Sequence, residues 1–299
     1  MFLKASDIKY YKTPILVTIF IVVASFFLNE IHQQIIAFIL IFSVGVIHGA
    51  NDINLIQKKS KKTNNLFFIK TLFLYILVVL FGCFSFFYIP SVGLLFFIFF
   101  SSYHFGEQHW EQKIKNIKFS RFLKFIFYTS YGSIILNLLF FIKYDEVKNI
   151  IYKISNYNIP IVIFQSITVT SIICFLFFIF SFKKIRRFFF IELITIILMI
   201  LLFNFTTLIL AFGSYFVLWH SFPSMKDQIK FLYGSFNFKN ILFYLKASLL
   251  YWIASILSLI FVKIYFTIPE SFLVPLFFSF MAAITFPHVL VIGRIKGSI

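Results

Sequence analysis

Charge is scarce in this sequence, and negative charge scarcer still. Asp and Glu number 10 against 27 Lys and Arg in 299 residues, and charged residues make up 12% of the chain, roughly half the share usual in a soluble domain. Hydrophobic residues reach 61% and the mean hydropathy is +0.97, which excludes an ordinary soluble domain and implies a polytopic membrane protein. Cysteine is nearly absent: Cys83 and Cys174 sit singly inside apolar runs, so neither a disulfide framework nor a cysteine-based metal site is expected. No small-x-small cleavage site ends the first apolar run, where Asn29-Glu30 follows Leu28, and the run reads as an uncleaved first helix. Internal repeats, a P-loop and Gly-rich nucleotide signatures are missing too. The net charge of +17 does not point to nucleic acid, because the basic residues fall in short clusters between apolar runs, as in cytoplasmic loops.

What is present is a succession of apolar runs. Ten segments, at about 14–29, 34–57, 66–89, 91–110, 122–142, 160–182, 188–203, 205–223, 241–263 and 271–293, approach the roughly 20 residues that a spanning helix needs. The pair divided only by the neighbourhood of Asn204 is the least sharply separated. The expectation is an all-α integral membrane protein, a single polytopic domain over 1–299 built as a bundle of about 8–10 transmembrane helices. Lys58, Lys59, Lys61 and Lys62, then Lys113, Lys115, Lys118 and Arg121, then Lys183, Lys184, Arg186 and Arg187, then Lys226 and Lys230, and finally Arg294 and Lys296 follow the even-numbered segments. The positive-inside rule therefore places both termini in the cytoplasm.

Histidine is the informative residue. Of six, four (His48, His104, His220 and His288) lie on segments two, four, eight and ten, each six to ten residues before the next basic residue. At about 1.5 Å per residue that is one layer, roughly 9–15 Å from the basic boundary. Imidazoles that share a depth in a membrane form a candidate metal site. Asp52 stands four residues after His48 and Glu107 three after His104, spacings that let each carboxylate orient the imidazole on its own helix face. Gly49 and Gly106 each follow a histidine, leaving room for close helix packing or substrate approach. His109, beside Trp110, reads as an interfacial histidine, and Glu192 and Lys246 as interhelical partners or snorkelling side chains. Aromatic residues near the histidines, among them Tyr103, Phe105, Tyr215, Trp219 and Phe286, are candidates to line a tunnel for an apolar substrate, and are equally what a Phe-rich membrane core contains.

Taken in order, His48-Gly49-Ala50-Asn51-Asp52, Tyr103-His104-Phe105-Gly106, Trp219-His220-Ser221 and Pro287-His288 resemble the motifs of the Brp/Blh family of membrane β-carotene 15,15'-dioxygenases. The resemblance runs from segment two to the C-terminus. It implies a multi-pass enzyme of the cell inner membrane that uses Fe(2+) and O2 to split β-carotene at its central double bond into two retinal, often in the service of a microbial rhodopsin. It also implies that His48, His104 and His220 are iron ligands, with His288 on the Pro-His motif. One departure stands out: the family has a second histidine four residues after the position of His220, and this chain has Ser224. His288, at the depth of the others, is the preferred fourth ligand and His109 the second choice.

Other classes compete. A haem-b protein would use two histidine pairs, and a non-catalytic carotenoid- or retinal-binding protein is consistent with Ser224. Membrane di-iron desaturases need about eight clustered histidines, which this chain does not have; transporters place ion ligands on broken helices at the midplane.

Overall fold

A computed structural model describes residues 5–61 and 64–297, with side chains from Tyr10 onward; Lys4, Lys62 and the side chain of Lys9 lie outside them. Every regular element among the described residues is helical. In chain order the helices are α1 Ala5–Ser25, α2 Glu30–Leu40, α3 Asp52–Ser60, α4 Asn65–Tyr88, α5 Pro90–Ile114, α6 Arg121–Ile142 and α7 Tyr144–Ser155. There follow α8 Ile161–Ser181, α9 Lys183–Arg186, α10 Phe189–Phe205, α11 Leu208–Tyr215, α12 Phe222–Tyr233, α13 Phe238–Tyr265 and α14 Leu273–Lys296. Two π-helical turns, Ile41–Gly45 and Phe216–Ser221, extend α2 and join α11 to α12.

Six helical segments are long and apolar enough to cross a membrane: Asn65–Tyr88, Arg121–Ile142, Ile161–Ser181, Leu208–Tyr233, Phe238–Tyr265 and Glu270–Lys296. Three expected spans, Tyr10–Ser25, Glu30–Gly45 and Phe189–Phe205, are apolar but shorter. The fourth remaining one, on α5, carries His104, Glu107, Gln108, His109 and Glu111 in its second half. Large apolar side chains such as Phe20, Phe81, Phe87 and Leu250 are exposed along the helices, a surface suited to lipid and not to water. This is a membrane protein.

The ends of the helices follow ordinary capping chemistry. Asn29, Asn64, Ser120, Thr207 and Asn237 accept hydrogen bonds from the backbone N–H groups of His32, Phe67, Leu123, Leu210 and Asn240, satisfying donors that a helix start leaves open. α14 ends at Gly297, whose φ of 72° is the left-handed conformation a helix C-terminus favours.

The chain forms two compact units, one of residues 1–41, 101–148 and 159–223, the other of residues 42–100, 149–158 and 224–299. In the first, α6 packs along α8, α11 along α2, and α10 along α1 and α6. α5 meets α6 at two points of backbone contact. A Cβ on Gly106 would collide with the Tyr128 carbonyl, and one on Gly132 with the Ser102 carbonyl, the close approach that small residues permit between membrane helices. Gln33 joins three chain ends: its Nε2 donates to the Ser25 and Leu28 carbonyls at 3.3 and 3.2 Å, and its Oε1 accepts from Thr207 N–H at 2.9 Å. In the second unit α14 packs against α3 and α4, with Phe286 and Ala283 seated on Gly82.

Candidate metal centre

His48 does not lie on a continuous helix. The expected segment 34–57 passes through the π-helical turn at Ile41–Gly45, unwinds into a turn over His48–Asn51 and restarts as α3 at Asp52. Gly49 and Asn51 give the break its chemistry, since Gly and Asn are poor helix formers and the Asn51 side chain donates instead to the Tyr244 carbonyl at 3.1 Å. α13 fixes the break from the side. Trp252 Nε1 donates to the Phe42 carbonyl within the π turn at 2.5 Å, and the Tyr244 hydroxyl lies 3.1 Å from the His48 carbonyl and 2.7 Å from Gln228 Oε1.

The break changes which imidazole Asp52 serves. Without a helical repeat between residues 48 and 52, the four-residue spacing no longer brings Asp52 to His48, so that expectation is corrected. Asp52 instead binds His288, with Nδ1 at 2.9 and 3.1 Å from its two oxygens, and its Oδ2 accepts from the Tyr75 hydroxyl at 3.0 Å. The carboxylate sits in the first turn of α3, where the helix dipole favours negative charge. His48 turns its Nδ1 to the carbonyl of Gly45. The two rings pack edge to face, centroids 4.7 Å apart, and both are buried. An Nδ1–H directed at an oxygen fixes the tautomer in each ring and leaves Nε2 as the nitrogen with a lone pair.

The first unit holds the other pair. Residues 101–110 are buried throughout, and the Gly106 and Gly132 contacts lock α5 against α6 at the turn that carries His104. His104 packs edge to face on His220, centroids 4.7 Å apart. His220 rises from the second π-helical turn, whose wider coil stacks its ring on Phe216 at 5.5 Å and brings it to Phe105 at 4.6 Å; single π turns of this kind recur at functional sites. Phe105 in turn meets Tyr215 at 5.4 Å. Glu107 is buried beside His104, with Oε2 3.7 Å from Nδ1, and its Oε1 accepts from the Tyr103 hydroxyl at 3.1 Å. The carboxylate is thus adjacent to the imidazole at a distance longer than a hydrogen bond.

Trp219 and Phe286 fall elsewhere. Trp219 donates through Nε1 to Thr18 Oγ1 at 3.0 Å and packs on Tyr11 and His109. Phe286 packs on Gly82 and Phe100. His109 is not an interfacial side chain: it is buried, stacked on Tyr131 at 4.4 Å, with Nε2 2.8 Å from Glu192. Glu192 also accepts from Tyr11, from Tyr131 at 2.8 Å and from Lys113 at 3.1 Å, so it is the interhelical partner its sequence position allowed. Lys246 is exposed. At Ser224, where the family resemblance expects histidine, the buried hydroxyl accepts from Gln228 Nε2 at 3.1 Å, and Gln228 leads through Tyr244 to the backbone of His48.

Tyr75, Tyr244 and Gln228 escaped sequence reading. Their only signal is a polar group inside an apolar run, which in buried positions demands a partner.

No curated protein and no solved structure matches the chain. A family model described as beta-carotene 15,15'-dioxygenase matches residues 39–296, a span that contains both histidine pairs, Asp52 and Glu107, and on that match the chain belongs to the β-carotene 15,15'-dioxygenase family.

Proposed function

We propose that this protein is an iron-dependent oxygenase of the cell inner membrane that cleaves β-carotene at the 15,15' double bond with O2 to give two molecules of retinal. The ligands assigned on this reading are His48, His104, His220 and His288. The observation that carries this reading is that the four family-motif histidines form two buried ring pairs, one within each unit, and that the Asp52 carboxylate holds His288 by Nδ1. The donor set fits ferrous iron: neutral imidazoles suit it, and a carboxylate or backbone carbonyl on the remote ring nitrogen is the usual support of a metal-binding histidine.

When bound, iron would supply the oxygen chemistry that breaks the central carbon–carbon double bond and forms two aldehyde carbonyls. The chain's own residues do the rest. Gly45 and Asp52 set the tautomers of His48 and His288. Burial keeps water from the histidines. Tyr103, Phe105 and Tyr215 offer aromatic faces to a rigid polyene that is already dissolved in the bilayer, its lipid environment. Asp52 and Glu107 act as positioning residues beside the imidazoles. The basic loops support an orientation with both termini in the cytoplasm, and retinal formed in the membrane would be available to a microbial rhodopsin.

Cells that make β-carotene should fade from orange to colourless and accumulate retinal when they express this chain. Absence of retinal with the protein in the membrane and iron supplied would refute the activity. A second reading, a carotenoid-binding protein without catalysis, draws on Ser224 standing where the family has a histidine; it expects bound pigment without O2 consumption.

A further inference from the structure

In the second unit α4 and α14 pack antiparallel. Gly82 of α4 meets Ala283 and Phe286, while at the opposite end Lys70 and Arg294 line the same groove. Between these points lies an opening of about 370 Å³, within the range of sites that accept a ligand. Its walls are apolar: Leu74 and Val78 from α4, Leu290 and Val291 from α14. Leu74 and Leu290 are exposed, so the opening reaches the surface that faces lipid. A smaller recess of about 230 Å³ adjoins the basic end, shares Arg294 with the groove and adds Lys59, whose Nζ donates to the Ile295 carbonyl at 3.1 Å. No Asp or Glu lines either opening.

An apolar groove that runs along two membrane helices and ends in cations matches an amphiphile with an anionic head. Arg offers phosphate a planar pair of donors and Lys a point charge, and basic residues at the ends of membrane helices attract anionic lipids. We propose that this groove binds an anionic phospholipid, with the phosphate at Lys70 and Arg294 and an acyl chain along Leu74, Val78 and Leu290. The chain then lies on the ring of Tyr75, which also lines the groove and whose hydroxyl donates to Asp52, the partner of His288. The binding site itself is independent of the cleavage reaction and is tested without it.

Native mass spectrometry and thermal unfolding of the full chain in neutral detergent, titrated with dioleoylphosphatidylglycerol or dioleoylphosphatidylcholine, read the site directly. Phosphatidylglycerol should remain bound and raise the melting temperature, and phosphatidylcholine should do neither. Each basic residue at an anionic lipid is worth about fivefold in affinity, so a Lys70→Gln/Arg294→Gln double variant should bind phosphatidylglycerol about 25-fold more weakly. Leu74→Trp, which leaves both cations and fills the groove, should also displace the lipid, and glycerol phosphate without acyl chains should not compete. Equal binding of the two lipids, undiminished binding by the double variant, or undiminished binding by Leu74→Trp would overturn the proposal.

Discussion

Asp52 shows how far a residue's partner departs from its spacing. In sequence it stands one helical turn after His48, and the helix between them is missing because Gly49 and Asn51 break it and Tyr244 holds the break open. The carboxylate then reaches His288, 236 positions away, and takes Tyr75 as its second donor. Asp52 was thus legible as an acid that serves a histidine, but the histidine it serves depends on packing in the second unit. If the carboxylate supports a metal ligand, Asp52→Ala should lower iron affinity by about 10–100-fold. Tyr75→Phe should act in the same direction and more weakly, because the Asp52–His288 bond survives it. Iron titration followed by metal analysis of the purified variants checks both, and wild-type affinity in Asp52→Ala would remove Asp52 from any role in holding metal.

At the scale of elements, the two glycines that follow histidines are equivalent in sequence and unlike in structure. Gly106 lies where α5 touches the backbone of α6, and an added Cβ would strike the Tyr128 carbonyl, a neighbour that cannot rotate away. Gly49 lies in the turn after the π-helical segment, and its added Cβ would sit 3.6 Å from His288 Nδ1, an ordinary contact. Gly106→Ala should therefore destabilise the protein by about 1–3 kcal/mol or more through overpacking, and displace the turn that carries His104. Gly49→Ala should leave the melting temperature close to wild type. Thermal unfolding in detergent separates the two, and equal effects would refute a backbone contact between α5 and α6 at Gly106. Most of the long apolar helices were legible, because apolar runs bounded by Asn, Ser and Thr caps state their own limits, but the break in segment 34–57 and the short helix α7 were not. The π-helical turns were not: a one-residue widening leaves no mark on hydrophobic periodicity, although one of these turns carries His220 and the other leads directly to His48.

For the molecule as a whole, composition announced a membrane protein and motif order announced the family, whereas the Glu192 cluster could not be read ahead of the fold. Glu192 gathers Tyr11 of α1, His109 and Lys113 of α5 and Tyr131 of α6 around one buried carboxylate on α10, so that four helices meet at one charge. Each contributing residue, read alone, is an ordinary tyrosine, lysine or histidine in or beside an apolar run. Removing the acid leaves the largely buried Lys113 ammonium without its counter-charge, and breaking a buried ion pair from one side typically costs about 3–5 kcal/mol. Glu192→Ala and Glu192→Gln, which both remove that charge, should each lower the melting temperature, Glu192→Gln by less because it keeps an acceptor for Tyr11 and Tyr131. The folded fraction of either variant should still bind iron in wild-type stoichiometry, because His109 serves Glu192 and is not among the four histidines assigned to the metal. Metal analysis of the monodisperse fraction from gel filtration decides this. Loss of iron from folded Glu192→Gln protein would place His109 in the ligand set in its stead, as the replacement for the histidine that Ser224 lacks.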